Sequence, residues 1–266
     1  MAAMTDAIAH RRRRSPLRRL LYVFVVLFIV PIAAAAGALA TRGGPVHWRD
    51  YDRTIESRLL SAAKEPAARI MVMTGRTRGW KGAVATHSWV AFKRENEFRW
   101  HRYDVSGWGQ SPVRLNWWPP DLWFGEYGHV VLDLRGERAQ ALIPRVEAAI
   151  KDYRWDNAGD YRIWPGPNSN TFIAAVLRAI PEAQATLPPD AIGRDYRPHA
   201  YAGMTDSGTG LEANLFGLAG LKVGWIEGIE LNMGGFVAGL DVRRPALKLP
   251  GLGRIGWERI TGPAVD

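Results

Sequence analysis

Trp164-Pro165-Gly166-Pro167-Asn168-Ser169-Asn170-Thr171-Phe172 is the stretch on which the fold of this chain turns. A tight Gly/Pro loop, Trp164 to Pro167, delivers a polar tripeptide to the start of a helix. The helix has Ile173, Val176, Leu177 and Ile180 on its core face, and Pro181 stops it. The first N–H groups of a helix lack intrahelical partners and stand at the positive end of its dipole. A serine placed there has its anionic form stabilised, so Ser169 is a candidate nucleophile. The competing reading is plain capping, because Ser or Asn before an apolar helix is first of all an N-cap.

Upstream, Ala85-Thr86-His87-Ser88-Trp89-Val90-Ala91-Phe92 opens a strand with a histidine. His87 to Lys93 and Glu97 to Asp104 read as two strands of a hairpin around Arg94-Glu95-Asn96. A turn at Glu95 would set His101 roughly opposite His87, where His101 or Asp104 could orient the His87 ring. Arg69 to Thr74 and Val130 to Leu134 read as further strands, Thr77 to Gly82 as a turn, and Gly107 to Pro120 as a long ordered loop. Tyr51 to Lys64 reads as a short helix with Ile55, Leu59, Leu60 and Ala63 on one face. Arg138 to Tyr153 has helical spacing, and Pro144 suggests a helix that begins there. From Leu215 to Pro250 the chain is Gly-rich, with short β-type runs that predict a meander of hairpins.

The N-terminus sets the compartment. Leu20 to Ala40 is an uncharged apolar run of spanning length, preceded by Arg11 to Arg14, Arg18 and Arg19. This pattern predicts a cytoplasmic basic tail at 1–19, a transmembrane helix or signal anchor at 20–40, and a single extracytoplasmic domain at 41–266. Ala38-Leu39-Ala40 also fits a signal-peptidase site, which would send the same domain to the same side. The expected location is the bacterial inner membrane, single-pass, with the C-terminal domain in the periplasm. Much of the net charge of +9 lies in the tail, and no basic stripe with interleaved aromatics follows it, so nucleic-acid binding is not expected. The chain has no cysteine, which excludes disulfides, thiolate metal sites and a cysteine nucleophile. No histidine or carboxylate cluster has metal-ligand spacing, and no phosphate loop is found, so neither a metal nor a cofactor is expected. The 12 tryptophans should build core and cleft walls.

The order strand-histidine, hairpin, helix with Asn168-Ser169-Asn170-Thr171-Phe172 at its start resembles the circularly permuted papain-like proteins. These include the PPPDE peptidases and the lecithin–retinol acyltransferase group, where the histidine comes first and a cysteine follows at a helix N-terminus. Ser169 stands at that cysteine position, and His101 near the second histidine of the acyltransferase branch. The resemblance spans roughly residues 84 to 190 and implies an α+β fold. Its parts would be a permuted papain-like (NlpC-like) core at 84–190, an antiparallel sheet, a helix carrying Ser169, and a C-terminal Gly-rich β extension at 195–266. A closer similarity, over nearly the whole exported part, is to a family of bacterial membrane proteins known only as a domain of unknown function. It rests on Trp80-Lys81-Gly82, His87-Ser88-Trp89 and Trp164 through Phe172.

Two functions follow as expectations. One is an envelope hydrolase or acyltransferase for amide or ester bonds, with Ser169 as nucleophile, His87 as base and His101 or Asp104 as its orienter. Peptidoglycan or lipid would be the accessible substrates. A hydroxyl is not ionised near neutral pH as a thiol partly is, so such a site needs an aligned base and an oxyanion hole. The other is a binding module that has lost its chemistry, holding a peptide, glycan or lipid with Trp89, Trp108, Trp164, Asn168 and Asn170. A third possibility, a structural protein whose Gly217 to Gly239 run forms an interface, is also compatible with the composition.

Overall fold

The computed structural model describes residues 15–44, 47, 49–59 and 64–256. The first element, α1, runs from Pro16 to Thr41 and is long and apolar enough to cross a membrane. Ser15 caps it by accepting from the Arg18 N–H, and Val25–Ile29 form a π-helical turn within it. The helix expected at Tyr51 to Lys64 is absent over residues 51–59, which run as turns and irregular chain; Leu60 and Ala63 lie outside the described residues.

The architecture is α+β. A five-stranded antiparallel sheet has the order β4-β3-β2-β1-β7. Its strands are β1 (Arg69–Arg76), β2 (Thr86–Lys93), β3 (His101–Val105), β4 (Val113–Leu115) and β7 (His129–Arg135). The two-residue strands β5 (Leu122–Trp123) and β6 (Glu126–Tyr127) form a small separate ladder. Two helices follow, α2 (Gly136–Lys151) and α3 (Ser169–Ala179). The remainder is a seven-stranded meander in which each strand pairs with the next. It comprises β8 (Ala200–Met204), β9 (Gly210–Leu215), β10 (Ala219–Gly224), β11 (Gly228–Met233), β12 (Phe236–Asp241), β13 (Ala246–Leu249) and β14 (Gly253–Gly256).

Period-two alternation splits the first sheet between two cores. Ile70, Val72, Val90 and Phe92 face α2 and α3, joining Ile143, Val146, Phe172 and Ile173 in one cluster. Met71, Met73, Trp89 and Ala91 face the other way and join Trp100, Trp123 and Phe124. A sheet covered on both faces needs strands apolar at successive positions, which β1 and β2 supply. Phe172 is fully buried, a contribution of about 1.5–3 kcal/mol on its own.

Pro144 does not open its helix. α2 begins at Gly136, whose φ of +65° suits glycine, and Pro144 sits inside it on the exposed side. Ala139, Leu142, Ile143, Val146 and Ile150 hold the helix to the core despite the hydrogen bond the proline cannot make.

Candidate functional site: a histidine–aspartate pair beside a clamped helix start

The polar motif at the head of α3 is first of all a hydrogen-bond clamp. Asn168 is the N-cap: its Oδ1 accepts from the N–H groups of Asn170 (2.9 Å) and Thr171 (3.2 Å). Its Nδ2 donates to the carbonyls of Ile163 (3.0 Å) and Ile192 (3.1 Å). Thr171 completes a capping box by accepting from the Asn168 N–H, and its hydroxyl donates to Gly193 O at 2.7 Å. Asn170 reaches across to β2, accepting from the Ser88 hydroxyl at 2.6 Å and donating to Thr86 O at 2.9 Å and Ile192 O at 2.8 Å. Asn168 and Asn170 are thus committed to the scaffold.

Ser169 escapes that duty. It is the first residue of α3, with Asn168 doing the capping, and among the described residues its hydroxyl has no hydrogen-bond partner. Ser169 is buried to 3% exposure.

His87 lies one residue from Ser88, and so one residue from the clamp. Alternation along β2 turns its ring to the sheet face of Trp89, opposite the face on which Ser88 meets α3. There the imidazole stacks on Trp123 with centroids 3.7 Å apart and planes 7° from parallel. Its Nε2 lies 3.3 Å from Asp104 Oδ2. A carboxylate accepts, so Nε2 carries the proton and Nδ1 keeps its lone pair. Asp104 also accepts from Arg102 Nη2 at 2.9 Å. The Arg102 guanidinium lies over the Trp89 ring, 4.4 Å from its centroid, and donates to the carbonyls of Pro119 and Leu122. Among the described residues no hydrogen bond joins Ser169 to His87.

Burial sets the charges. Desolvation holds His87 below its usual 6.5 against the pull of Asp104, so the ring is neutral at neutral pH. Desolvation pushes the Asp104 carboxyl up, but the His87 hydrogen bond and the Arg102 charge outweigh it and leave it below 3.8. Desolvation brings Arg102 down to about 10, still charged at neutral pH.

His101 is not opposite His87. The observed register pairs Phe92 with His101 and Trp89 with Asp104. The connection after Lys93 is longer than a turn at Glu95, with Trp100 buried in it, so β3 starts at His101 and not at Glu97. His101 Nε2 lies instead 2.6 Å from Glu97 Oε1. Continuing the register two residues past the last pair sets Ser106 across from His87. The sequence reading missed Ser106; only the true register reveals it.

His87, Ser106, Trp108, Trp123 and Trp164 line a cavity of about 840 Å³. Arg78 and Lys81 add cationic groups to its wall. Among the described residues the Ser106 Oγ is buried without a hydrogen-bond partner. Trp164 is anchored by its Nε1 donating to Gly234 O at 2.8 Å. Trp89 is fully buried beneath the site, donating to Pro120 O, and supports Arg102 without lining the cavity. Trp108 also lines a second cavity of about 560 Å³, with Tyr51, Trp117 and Trp118. Among the described residues no group of three or more histidines and carboxylates converges to hold a metal.

No curated protein and no solved structure matches the chain. Residues 67–196, which carry the five-stranded sheet, α2, α3, the clamp and the His87–Asp104 pair, and which stop short of the meander, match the family described as Protein of unknown function (DUF3750).

Proposed function

We propose that this is a membrane-anchored cell-envelope hydrolase or acyltransferase for amide or ester bonds, with its working parts arranged as in permuted papain-like proteins. The observation that carries the reading is the clamp. Asn170 fastens the head of α3, with the uncommitted hydroxyl of Ser169, to the head of β2, where a neutral His87 is held by Asp104.

In this reading the His87 ring, which rests on the sheet face opposite α3, swings about the end of β2 toward Ser169 when substrate binds, and Ser169 Oγ attacks the substrate carbonyl carbon as its proton passes to His87 Nδ1. The bond to the leaving nitrogen or oxygen breaks, and that atom takes the proton from His87. Water, or an acceptor alcohol or amine, then repeats the sequence on the acyl-serine. Asp104 fixes the tautomer, and the Ser169 N–H, the one in the first turn of α3 that the Asn168 cap leaves uncommitted among the described residues, is the candidate for holding the oxyanion. The α1 helix and the arginines before it favour attachment to the bacterial inner membrane with the domain in the periplasm. Peptidoglycan peptides and lipids are the substrates within reach there.

A second reading, a binding module for peptide, glycan or lipid, is favoured by the turn of His87 away from the α3 face and by the aromatic walls of its cavity. Labelling the detergent-solubilised chain with a fluorophosphonate and mapping the modified peptide separates the two. Label on Ser169 that is lost in His87→Gln supports the enzyme. Label on Ser106 moves the nucleophile across the hairpin, and absence of label from both serines leaves the binding module.

A further inference from the structure

The meander has its polarity reversed. Its inward positions hold Glu212, Asn214, Lys222, Glu230, Asn232 and Lys248, all buried. They are matched by ion pairs such as Lys222 Nζ with Asp195 Oδ1 at 2.6 Å and Arg197 Nη2 with Glu212 Oε2 at 2.9 Å. Its outward positions are apolar. One row crosses all seven strands in register: Met204, Leu211, Val223, Ile229, Leu240, Leu247 and Ile255. Each member is exposed, from 44% at Ile229 to 66% at Leu211. At about 4.8 Å between strands the row is about 29 Å wide. Leu215, Leu221, Leu231 and Met233 enlarge the same face. Soluble monomers rarely present a contiguous apolar surface of that extent.

What covers the face is indicated by α1. The Val25–Ile29 turn of α1 packs against β12, where Ala238, paired with Leu231, is buried to 2%. Farther along, Ala35 is packed at Gly251. Val25–Ile29 falls inside the uncharged run from Leu20 to Ala40. A helix that puts this run in hydrocarbon carries β12 to the same depth, and the strand beside it must then be apolar outward. The pattern, apolar toward lipid and polar inward, is the one that strands in a membrane require. We propose that the outward face of the β8–β14 meander is seated in the lipid bilayer, continuous with the exposed side of α1. The sheet is open, and its unpaired edge groups must stay among headgroups or water, which limits how far it enters.

The inference rests on α1 being a membrane anchor, and the test separates the two. The chain has no cysteine, so single substitutions can be labelled cleanly. Val223→Cys on the face, Val30→Cys on α1 and Lys151→Cys at the end of α2 would each be made in the full chain. Each would carry a bimane maleimide and be reconstituted into phosphatidylethanolamine–phosphatidylglycerol vesicles. Acyl-chain doxyl groups are expected to quench the labels at positions 223 and 30 to a comparable extent and to spare the label at 151. Iodide in the water is expected to do the reverse. A label at 223 quenched by iodide and spared by doxyl, with position 30 still quenched by doxyl, overturns the seating and leaves the anchor. A label at 223 sheltered from both quenchers overturns it in favour of a protein cover, such as a second copy. Failure of doxyl quenching at position 30 overturns the anchor and the seating together.

Discussion

Asn170→Ala tests whether the clamp is what brings the head of α3 to the head of β2. The side chain is 2% exposed and makes three hydrogen bonds, at 2.6 Å with Ser88, 2.9 Å with Thr86 O and 2.8 Å with Ile192 O. Truncation removes all three. The Ile192 carbonyl keeps Asn168 Nδ2 at 3.1 Å, but the Ser88 hydroxyl loses its side-chain partner and the Thr86 carbonyl its amide donor. A hydrogen bond contributes about 1 kcal/mol net, and a buried polar group left without a partner costs about 1–3 kcal/mol. The expected loss is therefore about 3–5 kcal/mol, a large part of the stability of an ordinary domain. Asn170→Asp should cost at least as much, because a carboxylate can accept from Ser88 but would face two carbonyl oxygens. Ser88→Ala breaks one contact, for about 1–2 kcal/mol. The double mutant should fall short of additivity by about 1 kcal/mol, since both changes remove the same bond. Urea unfolding of the full chain in detergent, followed by tryptophan fluorescence, reads each value from the midpoint and slope. An Asn170→Ala chain within about 1 kcal/mol of the parent, at unchanged slope, refutes the clamp.

The remaining predictions concern the groups around it. Asp104→Asn leaves the Arg102 guanidinium, 1% exposed, without its carboxylate, and breaking one side of a buried pair costs about 3–5 kcal/mol. Adding Arg102→Met should restore part of that in the same unfolding assay, and no recovery would mean the pair is not the cause. Acid should destabilise the fold in two steps. The folded pKa of His87 lies below 6.5 and that of Asp104 below 3.8, so in each range the unfolded chain binds the extra proton. Stability then falls as pH drops below 6.5 and again below the carboxylate range; His87→Gln should flatten the first fall, and an unchanged slope in that variant counts against the assignment. Gly193→Ala should cost at least about 3 kcal/mol, because φ there is +94° and a Cβ would meet the Asn168 side chain at 2.2 Å, unseating the cap. A near-parental thermal midpoint would show that the cap is not held as described.

The helical and capping signals were legible because they are local. Ser169 heads α3 as the Gly/Pro loop and the spacing of Ile173, Val176 and Leu177 predict. That Asn168 and not Ser169 caps it follows from which side chain bends back over the first turn. The hairpin shows the limit. Its strands were correctly paired, but register depends on how much chain the connection absorbs, and burial of Trp100 takes up residues that a turn at Glu95 would have placed in the strand. A slip of that kind moved His101 out of the site to Glu97 and left Ser106 unnoticed. Asp104 survived as a partner of His87 because it lies on the same sheet face, two residues along the strand from the position opposite the ring.

The meander makes a different point about what alternation can say. The expectation of hairpins at Leu215 to Pro250 rests on the glycines and the short β-type runs, and within them Leu221-Lys222-Val223 and Glu230-Leu231-Asn232 alternate with period two. Period two states that the faces differ; it does not state which one is turned to solvent. The usual assignment puts Leu221 and Leu231 inside and Lys222 and Glu230 outside. Here the assignment is inverted, because the charged face finds complementary charge within the fold. Arg194 and Asp195, which follow the loop that the α3 clamp also grips at Ile192 and Gly193, supply ion pairs to Glu230 and Lys222. Once those charges are paired inside, the leucines have only the outward face left to occupy. Soluble monomers rarely leave an apolar face of that size to water. The residues that decide the orientation of the meander thus lie outside it, at 194 and 195 in sequence and in the apolar helix at the far end of the chain, which is why no window confined to 215–250 could have revealed it.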